Sequence, residues 1–476
     1  MLVLNGMILK TGYQLPYPTG PNVKAIDLKG APVFAAFSDA HVHFTQTGIT
    51  RLGCDLGDVD SLSGIFDKIK TELNRSEIAL AFNLQEHVLL EKRLPTSSEL
   101  DKLSTKKFIW IARKDLHSAV LNSAALNWAK KAVANLEHHE GFISGENYNK
   151  LSYLLINELP DQLLIKGMMT AAHECLAKGV TFIHAMEGSD SSIREALLTK
   201  KIFENSKLDG VVYHQSTDPG FALKNNYPGF GGCLLVDGSF GTRTAALSQP
   251  YNDAPNHTGH LYMSPDQIES LLKTARNTGL QLALHAIGDR AIEEVTSTYV
   301  WAMNKYQKQD LPDRIEHFIL PSTKAIRAAK TADAMICIQP AFDFYWGGKR
   351  GLYAERLGPE RAEQCNPFKT LSDLGISLAC GSDSPVTPID PILSLHAMVN
   401  HTNTEERLSL NRALSLCITE PHRFIGKEKT RGHLKTGFKA DFICLSDDPF
   451  LVPAARIRTL EVVRTFVGGK EVQDHN

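Results

Sequence analysis

SPDQIESLLKTARNTGLQLALHAIGD, residues 264–289, contains one helix and one strand in a pattern that recurs along the chain. Ser264 is a typical helix N-cap, Pro265 suits the first helical position, and Gln267 completes a capping box. Gly279 is the expected helix stop. The apolar run that follows predicts a short buried strand that ends at His285.

Two further segments repeat this order of helix, glycine, apolar strand and polar residue. One copy stops at Gly375 and its strand ends at Asp383, and another stops at Gly179 and ends at Glu187. Helices that alternate with wholly apolar strands are typical of a parallel sheet buried on both faces. We therefore expect an α/β protein.

Eight segments fit the strand pattern: FSDAHVH, VTFIHAME, VVYHQST, CLLVDGS, LALHAIG, RIEHF, MICIQP and ISLACGSD. Eight parallel strands with intervening helices predict a (β/α)8 TIM-type barrel. We expect this barrel over residues 37–431, with an insertion at about 51–168 that has strand-like runs of its own. Strand and turn signals at residues 1–36 and 432–476 predict a small composite β-sandwich domain built from both termini.

Composition narrows the class of protein. The 476 residues carry a formal net charge of −2, which gives no general reason to expect nucleic acid or an anionic membrane as a partner. Residues 1–10 lack the apolar run of a signal peptide, and the sequence has no stretch that predicts a transmembrane helix. The eight cysteines form no C-x-x-C pair, which favours buried thiols in a reducing compartment. We therefore expect a cytoplasmic protein.

Several histidines stand at the ends of predicted strands. His41 and His43 are two residues apart in SDAHVHF, so both imidazoles should point to one side of the strand. His285, His317 and Asp383 end three later strands. Any one of them has an ordinary explanation as a satisfied polar residue or a turn starter. Together, at one edge of a barrel, the five side chains predict a metal site.

The motifs around these residues resemble the metal motifs of the amidohydrolase superfamily: SDAHVHF, LHAIGDRAI, RIEHF and GSDSPV. Three further segments resemble amidohydrolase family 3, the YtcJ-like branch that includes N-substituted formamide deformylase: DGSFGTRTAAL, AERLGPERA and KADFICLSDDPF. The resemblance runs from about residue 30 to the C-terminus. It implies a metal-dependent hydrolase of non-peptide C–N bonds, with a distorted barrel and a β-sandwich from both termini.

The resemblance also implies roles for individual residues. His41, His43, His285 and His317 would be metal ligands, and Asp383 would be both a ligand and the proton shuttle. Zinc is the ion that we expect, as one or two ions. Hydroxide generated at the metal would attack an amide or formamide carbonyl, and Asp383 would pass the proton to the departing amine.

One departure from the family concerns the fourth strand. Many relatives have a lysine there whose carbamate bridges two metals, but this chain has Cys233, which excludes that bridge. Glu187 is our candidate for a bridging ligand, because a branch that resembles D-aminoacylase uses that strand end. Alternatively, Glu187 orients an imidazole. Cys233 is either a thiolate ligand or a buried structural cysteine.

Three residues are candidates for substrate binding: Arg243, Asp237 and His117. Arg243 and Asp237 lie in a loop after the fourth strand, where an arginine suits a carbonyl or carboxylate, although a loop-stapling salt bridge is the alternative. His117 and Asn122 lie in the insertion and either reach the site as a lid or cap a helix. Glu316 should point away from His317, which indicates a structural role.

Other functions are compatible with the same pattern. A deaminase of an aminated heterocycle is one alternative, but the related deaminases have a glutamate soon after the fifth-strand histidine, and here the first is Glu293. A non-catalytic barrel with a binding role is another. We expect a small-molecule substrate of amide type and leave a homo-oligomer open.

Overall fold

The computed structural model describes residues 1–13, 15, 20–114, 116 and 118–472. These residues form two compact units. The first unit contains Met1–His43 and the chain from Ala172 onward, and the second contains Phe44–Ala171. None of the helices in the described ranges has the length and hydropathy needed to cross a membrane.

In chain order the strands are β1 Leu2–Leu4, β2 Met7–Lys10, β3 Val33–Ala35, β4 Phe37–Val42, β5 Cys54–Asp55, β6 Ile78–Leu84, β7 Phe108–Arg113, β8 Ser118–Leu121, β9 Phe142–Ser144, β10 Val180–Glu187, β11 Asp209–His214, β12 Gly229–Leu235, β13 Gln281–Ala286, β14 Arg314–His317, β15 Met335–Ile338, β16 Ser377–Cys380, β17 Phe442–Leu445, β18 Val462–Val467 and β19 Lys470–Glu471.

The α-helices are α1 Phe44–Thr50, α2 Leu62–Leu73, α3 Ser97–Asp101, α4 Ser123–Ala132, α5 Gly145–Glu158, α6 Asp161–Ala177, α7 Arg194–Asn205, α8 Gly220–Asn225, α9 Pro265–Thr278, α10 Asp289–Lys305, α11 Thr323–Thr331, α12 Pro340–Trp346, α13 Leu352–Leu357, α14 Pro359–Ala362, α15 Phe368–Asp373, α16 Pro391–Val399, α17 Leu410–Ile418 and α18 Glu420–Arg423.

The first unit contains eight parallel strands in two sheets. One sheet has the order β11-β10-β4 and the other β12-β13-β14-β15-β16, and every neighbouring pair is parallel. All eight predicted strand segments are present, and the α/β class with parallel sheets is confirmed. Most of their residues are fully buried, as expected for parallel strands that are covered on both faces.

The unit that opened the sequence analysis forms as its residues predict. The Ser264 hydroxyl accepts a hydrogen bond from the Gln267 backbone N–H, and the Gln267 side chain accepts one from the Ser264 N–H at 2.8 Å. Gly279 ends α9 with a φ of 71°. The apolar face of α9, including Ile268 and Leu272, is buried. The helix therefore packs through this face and leads the chain into β13.

The outer strands of the two sheets come together at one edge. Val42, the last residue of β4, forms a parallel bridge with Ser384, which follows β16. The Asp383 N–H donates to the His41 carbonyl at 2.8 Å, and the His43 N–H donates to the Ser384 carbonyl at 2.9 Å. The polar residues after β16 are therefore held beside the histidines at the end of β4.

Strands from both ends of the chain share a sheet in the first unit. Its order is β19-β18-β17-β3, with antiparallel pairs throughout. The rings of Phe442 and Phe466 stack with centroids 4.3 Å apart in its core. A separate hairpin of β1 and β2 contacts the segment before β17 through a Met7–Lys439 bridge.

The second unit has a five-stranded sheet of the order β5-β6-β7-β8-β9. The first three strands are parallel and the last three antiparallel. Its core includes Leu62, Ile65 and Ile69 of α2 and the buried side chains of β6 and β7. The predicted insertion at about 51–168 lies within this unit.

Candidate metal centre

His41 and His43 lie at the end of β4 and both face Asp383. The distance from His41 Nε2 to Asp383 Oδ1 is 3.2 Å, and the distance from His43 Nε2 to the same oxygen is 3.1 Å. The His41 side chain is fully buried, whereas His43 is 16% exposed. His43 and Asp383 therefore form the more open side of the cluster.

A second group surrounds Cys233 of β12. Its Sγ lies 3.6 Å from Nδ1 of His285 and 3.7 Å from Nε2 of His317. His41 joins the two groups, since His41, Cys233 and His317 each offer one ligand atom within 4.8 Å of the others. The structure thus brings together five of the six residues predicted as ligands, and it places Cys233, the thiolate alternative, beside them: His41, His43, His285, His317 and Asp383.

Each of the three buried imidazoles uses one ring nitrogen to bind an acceptor of the protein. His41 Nδ1 lies 2.6 Å from Glu316 Oε2, His317 Nδ1 lies 2.8 Å from Gln339 Oε1, and His285 Nε2 lies 3.2 Å from the Gly238 carbonyl. These oxygens only accept, so each of these nitrogens carries the hydrogen. The other nitrogen of every ring is left with a lone pair directed into the cluster, as in metal-binding histidines.

Glu316, for which the sequence predicted a structural role with its side chain directed away from His317, contacts the cluster through His41. Besides binding His41, it accepts hydrogen bonds from Arg314 at 2.6 Å and 3.0 Å, and both side chains are fully buried. Burial raises the pKa of Glu316, but the charge of Arg314 outweighs this and holds the pKa below its ordinary value. His317 has a φ of 75°, outside the extended region, so strict alternation of side chains fails at this strand end.

The donor set fits a divalent cation. His41 Nε2 and Asp383 Oδ1 are buried atoms without a hydrogen-bond partner, which is costly unless another ligand satisfies them. Two ligand atoms that each lie about 2.0–2.1 Å from one ion are separated by about 3.0–3.4 Å. The 3.1 Å and 3.2 Å separations at Asp383 fall in this range.

In the metal-free cluster, ring protons of the histidines favour the charged forms of the two acidic groups; a bound cation would take the place of these protons, since metal ligands bind in their deprotonated forms. Burial raises the pKa of Asp383, but the adjacent imidazoles of His41 and His43 hold it well below its ordinary value. Burial likewise raises the pKa of Cys233, but the surrounding histidines hold it well below its ordinary value, and His41 contributes most to this lowering. Both groups are therefore suited to bind a cation.

Glu187 ends β10 and is buried. Within the described ranges it does not belong to any of the three groups of side chains whose ligand atoms are close enough to share an ion. It lies near Glu195, whose pKa rises to about 8 because of burial and the charge of Glu187. A ligand role for Glu187 stays a prediction.

The predicted substrate-binding residues Asp237 and Arg243 have protein partners. Asp237 accepts backbone N–H groups from Ala246, Ile287 and Gly288 at 2.8–3.0 Å. Arg243 forms a two-point ion pair with Asp253, at 2.6 Å and 3.0 Å, which favours the loop-stapling alternative.

His117 lies outside the described residues. Its neighbour in the sequence, Asn122, caps α4, since its side chain accepts from the Ala125 N–H at 3.1 Å. The same side chain donates to the carbonyls of Ser104 and Lys107. These contacts favour the capping alternative for Asn122, and substrate binding by His117 stays a prediction.

Comparison with known proteins shows the family to which the chain belongs. A sequence model described as the amidohydrolase family matches residues 24–473. The chain belongs to the amidohydrolase family. This amidohydrolase is 28% identical to the protein named amidohydrolase YtcJ from Bacillus subtilis, over 95% of this chain and 91% of the relative.

Two further relatives of the amidohydrolase are informative. It is 21% identical to N-substituted formamide deformylase from Arthrobacter pascens, over 98% of this chain and 94% of the relative. Its fold is similar to that of an uncharacterized metal-dependent hydrolase from Pyrococcus furiosus, with a TM-score of 0.72 and 28% identity over 89% of each chain.

Proposed function

We propose that this amidohydrolase is a metal-dependent hydrolase of non-peptide C–N bonds, acting on the amide or formamide group of a small molecule. The observation that carries the proposal is the position of Asp383, whose Oδ1 lies within 3.2 Å of both imidazoles of β4. A carboxylate at the open side of a ligand cluster can both hold a cation and exchange protons with a substrate.

The fold proposed for this function is a single (β/α)8 barrel made from the eight parallel strands, with a β-sandwich domain from both termini. The pairing of Val42 with Ser384 supports closure on one side. The proposed boundaries are residues 1–36 and 432–476 for the β-sandwich, and 37–431 for the barrel. We also propose a cytoplasmic location, consistent with eight cysteines that form no disulfide in the described structure.

The residues that would hold the cation are His41, His43, His285, His317 and Asp383, with Glu187 as a further candidate. Imidazole and carboxylate donors of this kind suit zinc. A bound divalent ion would supply hydroxide at neutral pH, by lowering the pKa of its water to about 7, and would polarise a carbonyl.

Asp383 performs the proton transfers in this proposal. Its carboxylate accepts the proton that the nucleophile loses as it attacks the carbonyl carbon. The same carboxyl group then donates this proton to the nitrogen as the C–N bond breaks, so that a neutral amine departs and Asp383 returns to its charged form. The buried imidazoles remain bound to their anchoring oxygens throughout, which keeps the ligand cluster in one arrangement.

The choice of amide hydrolysis over deamination depends on the residues that follow β13. Glu293 lies in α10, is 39% exposed and pairs with Lys324, so it is not part of the ligand cluster. The relationship to a protein named N-substituted formamide deformylase supports N-formyl compounds as the first substrates to test.

The direct test is Asp383→Asn. We expect turnover of N-formyl and N-acyl amines to fall at least about 100-fold, because the asparagine cannot carry the proton. Bound metal, measured by elemental analysis, should be largely retained, because the imidazole ligands are unchanged and the asparagine keeps one oxygen donor at this position. Asp289→Asn is the matched control, since Asp289 follows β13 at the same edge but binds Ser248.

Three results would contradict the proposal. Near-normal turnover by the Asp383→Asn protein would exclude Asp383 as the proton shuttle. Ammonia release from aminated heterocycles, together with inactivity on N-formyl, N-acyl and cyclic amides, would establish the deaminase instead. Protein purified without chelator and without bound metal would favour a binding role.

A further inference from the structure

Cys233 lies within the ligand cluster and contacts two of its histidines. Its Sγ is buried and faces ring nitrogens of His285 and His317 at 3.6 Å and 3.7 Å. Two glycines precede it, and their backbone explains this orientation. Gly231 and Gly232 have φ values of 86° and 60°, in the left-handed region that favours glycine.

The glycine pair forms a bulge in β12. Phe230 pairs with Leu282 and Leu234 pairs with Leu284, so four residues of β12 advance while β13 advances by two. A Cβ at Gly231 would lie 2.6 Å from the Ala283 carbonyl oxygen, so no other residue fits there without a shift. Bulges of this kind re-aim a side chain near a functional site. Here the bulge directs Cys233 toward the histidines.

The Cys233 thiol cannot donate a hydrogen bond to both of the imidazole nitrogens that face it. The inward nitrogens of His285 and His317 have lone pairs, because their other nitrogens donate to Gly238 and Gln339. A thiol has a single hydrogen and can serve only one of these lone pairs. Further protons or a cation must occupy the space beside the sulfur, and a cation there would also serve the unpartnered Nε2 of His41, which lies in one group with Cys233 and His317.

The distances also match a shared ion. A sulfur at about 2.3 Å and an imidazole nitrogen at about 2.0–2.1 Å from a tetrahedral zinc are about 3.6 Å apart. We propose that Cys233 is a thiolate ligand of a metal ion shared with His41 and His317, whose ligand atoms lie within 4.8 Å of one another and of the sulfur, and that this sulfur makes the centre selective for zinc, cadmium or cobalt over magnesium and manganese. The proposal rests on the metal dependence of the proposed function. The thiol proton is released to solvent when the metal–sulfur bond forms.

Cys337 provides a matched control. It is fully buried in the same unit, near His41 and Glu316. Nδ1 of His41 already binds Glu316. The Cys337 sulfur accepts a hydrogen bond from the Gln339 side chain at 3.7 Å. Burial raises the pKa of Cys337 well above its ordinary value, so this residue stays a thiol.

The experiment is optical spectroscopy of the full chain after chelation and reloading with cobalt(II), with cadmium(II) as a second probe. Thiolate ligation gives a near-ultraviolet sulfur-to-metal charge-transfer band that imidazole and carboxylate ligands do not produce. We expect this band in the wild type and in Cys337→Ala, and its loss in Cys233→Ala and Cys233→Ser. The two Cys233 variants should also bind cobalt more weakly. Loss of a residue that only orients a ligand costs roughly 10- to 100-fold in affinity, and we expect a larger loss here.

The wild-type spectrum decides the question even where a variant fails to fold. A wild-type protein that binds cobalt without the band overturns the proposal and leaves Cys233 as a hydrogen-bonded cysteine. Retention of the band in Cys233→Ala, or its loss in Cys337→Ala, overturns it as well. Hydrolysis of amides without the band leaves the proposed function intact, whereas the band without hydrolysis contradicts only that function.

Discussion

Glu316 and Arg314 show how a single buried ion pair supports the metal centre. Both side chains have no exposed surface, and Arg314 also donates to the Ala40 carbonyl at 2.8 Å. Arg314 Nη1 lies 3.0 Å from Nδ1 of His184, whose pKa burial and Arg314 hold well below its ordinary value. His184 is therefore neutral and accepts this hydrogen bond. The network holds Glu316 where it orients His41.

Replacement of Glu316 by glutamine should destabilise the protein by about 3–5 kcal/mol, because Arg314 is left as a buried charge without a counter-charge. Urea denaturation of the metal-free protein measures this loss separately from metal binding. Metal affinity should also fall about 10- to 100-fold, because an amide orients His41 less strongly than a carboxylate.

Glu293→Gln is the control for this prediction. Glu293 pairs with Lys324 at the surface, where an ion pair contributes about 0–1 kcal/mol. Equal denaturation midpoints for the two variants would show that the Glu316–Arg314 pair has no special role in stability.

At the level of elements, the site depends on the close approach of the end of β16 to β4. A Cβ at Gly381, directly after β16, would lie 2.5 Å from the His41 Cβ and 2.7 Å from the His41 backbone nitrogen. The next residue, Ser382, donates its N–H to Asp39 at 2.9 Å. Glycine is needed here for space, since any side chain would push Asp383 away from the histidines.

Gly381→Ala should therefore lower stability by about 1–3 kcal/mol, the usual cost of overpacking. It should weaken metal binding as well, because the His41 and Asp383 ligand atoms are moved apart. Thermal denaturation and metal titration measure the two effects. Gly220→Ala, at the exposed start of α8, is the control. A Gly381→Ala protein with unchanged metal affinity would contradict the role given to this approach.

At the level of the whole molecule, all proposed ligands lie in the first unit. They come from β4 and the residue after it, β10, β12, β13, β14 and the segment after β16, which are far apart in the sequence. An ion that binds them stabilises the folded arrangement by mass action, by about 2.7 kcal/mol when the free ion is at 100 times its dissociation constant. The second unit has its own core around α2 and β6.

Removal of metal by a chelator should therefore affect the two units differently. We expect faster amide hydrogen exchange in β13, β14 and β15, and little change in β6, β7 and β8. Hydrogen exchange with mass spectrometry measures both regions in one sample, so the second unit is an internal control. A uniform change across both units, or none in β13 to β15, would argue against a metal centre that links these strands.

The sequence predicts the strands, and the convergence of most candidate ligands, because both depend on local pattern. Capping residues, glycine stops and apolar runs located the eight parallel strands, and the polar residue after each run marked its carboxyl end. Parallel strands bring their carboxyl ends to the same edge, so the convergence of His285, His317 and Asp383 followed from topology.

The partners of these residues depended on contacts between distant segments. Glu316 was assigned a structural role on the assumption that neighbouring side chains of a strand point to opposite faces. The left-handed φ of His317 breaks this alternation. For Arg243, the sequence left substrate binding and a salt bridge within the loop as equal alternatives. Only the folded loop places Asp253 beside it. Cys233 could not be oriented from its apolar neighbours, although the two glycines before it were a visible signal of a bulge.

The sequence by itself therefore determined the parallel α/β architecture and the histidine and aspartate set, since short-range periodicity and strand ends encode both. The tertiary structure decided which atom of each ring faces the cluster, which carboxylate holds it there, and where the sulfur of Cys233 points. These features depend on backbone twists and on hydrogen bonds between residues up to 275 positions apart, such as His41 and Glu316. No local pattern in the chain specifies them.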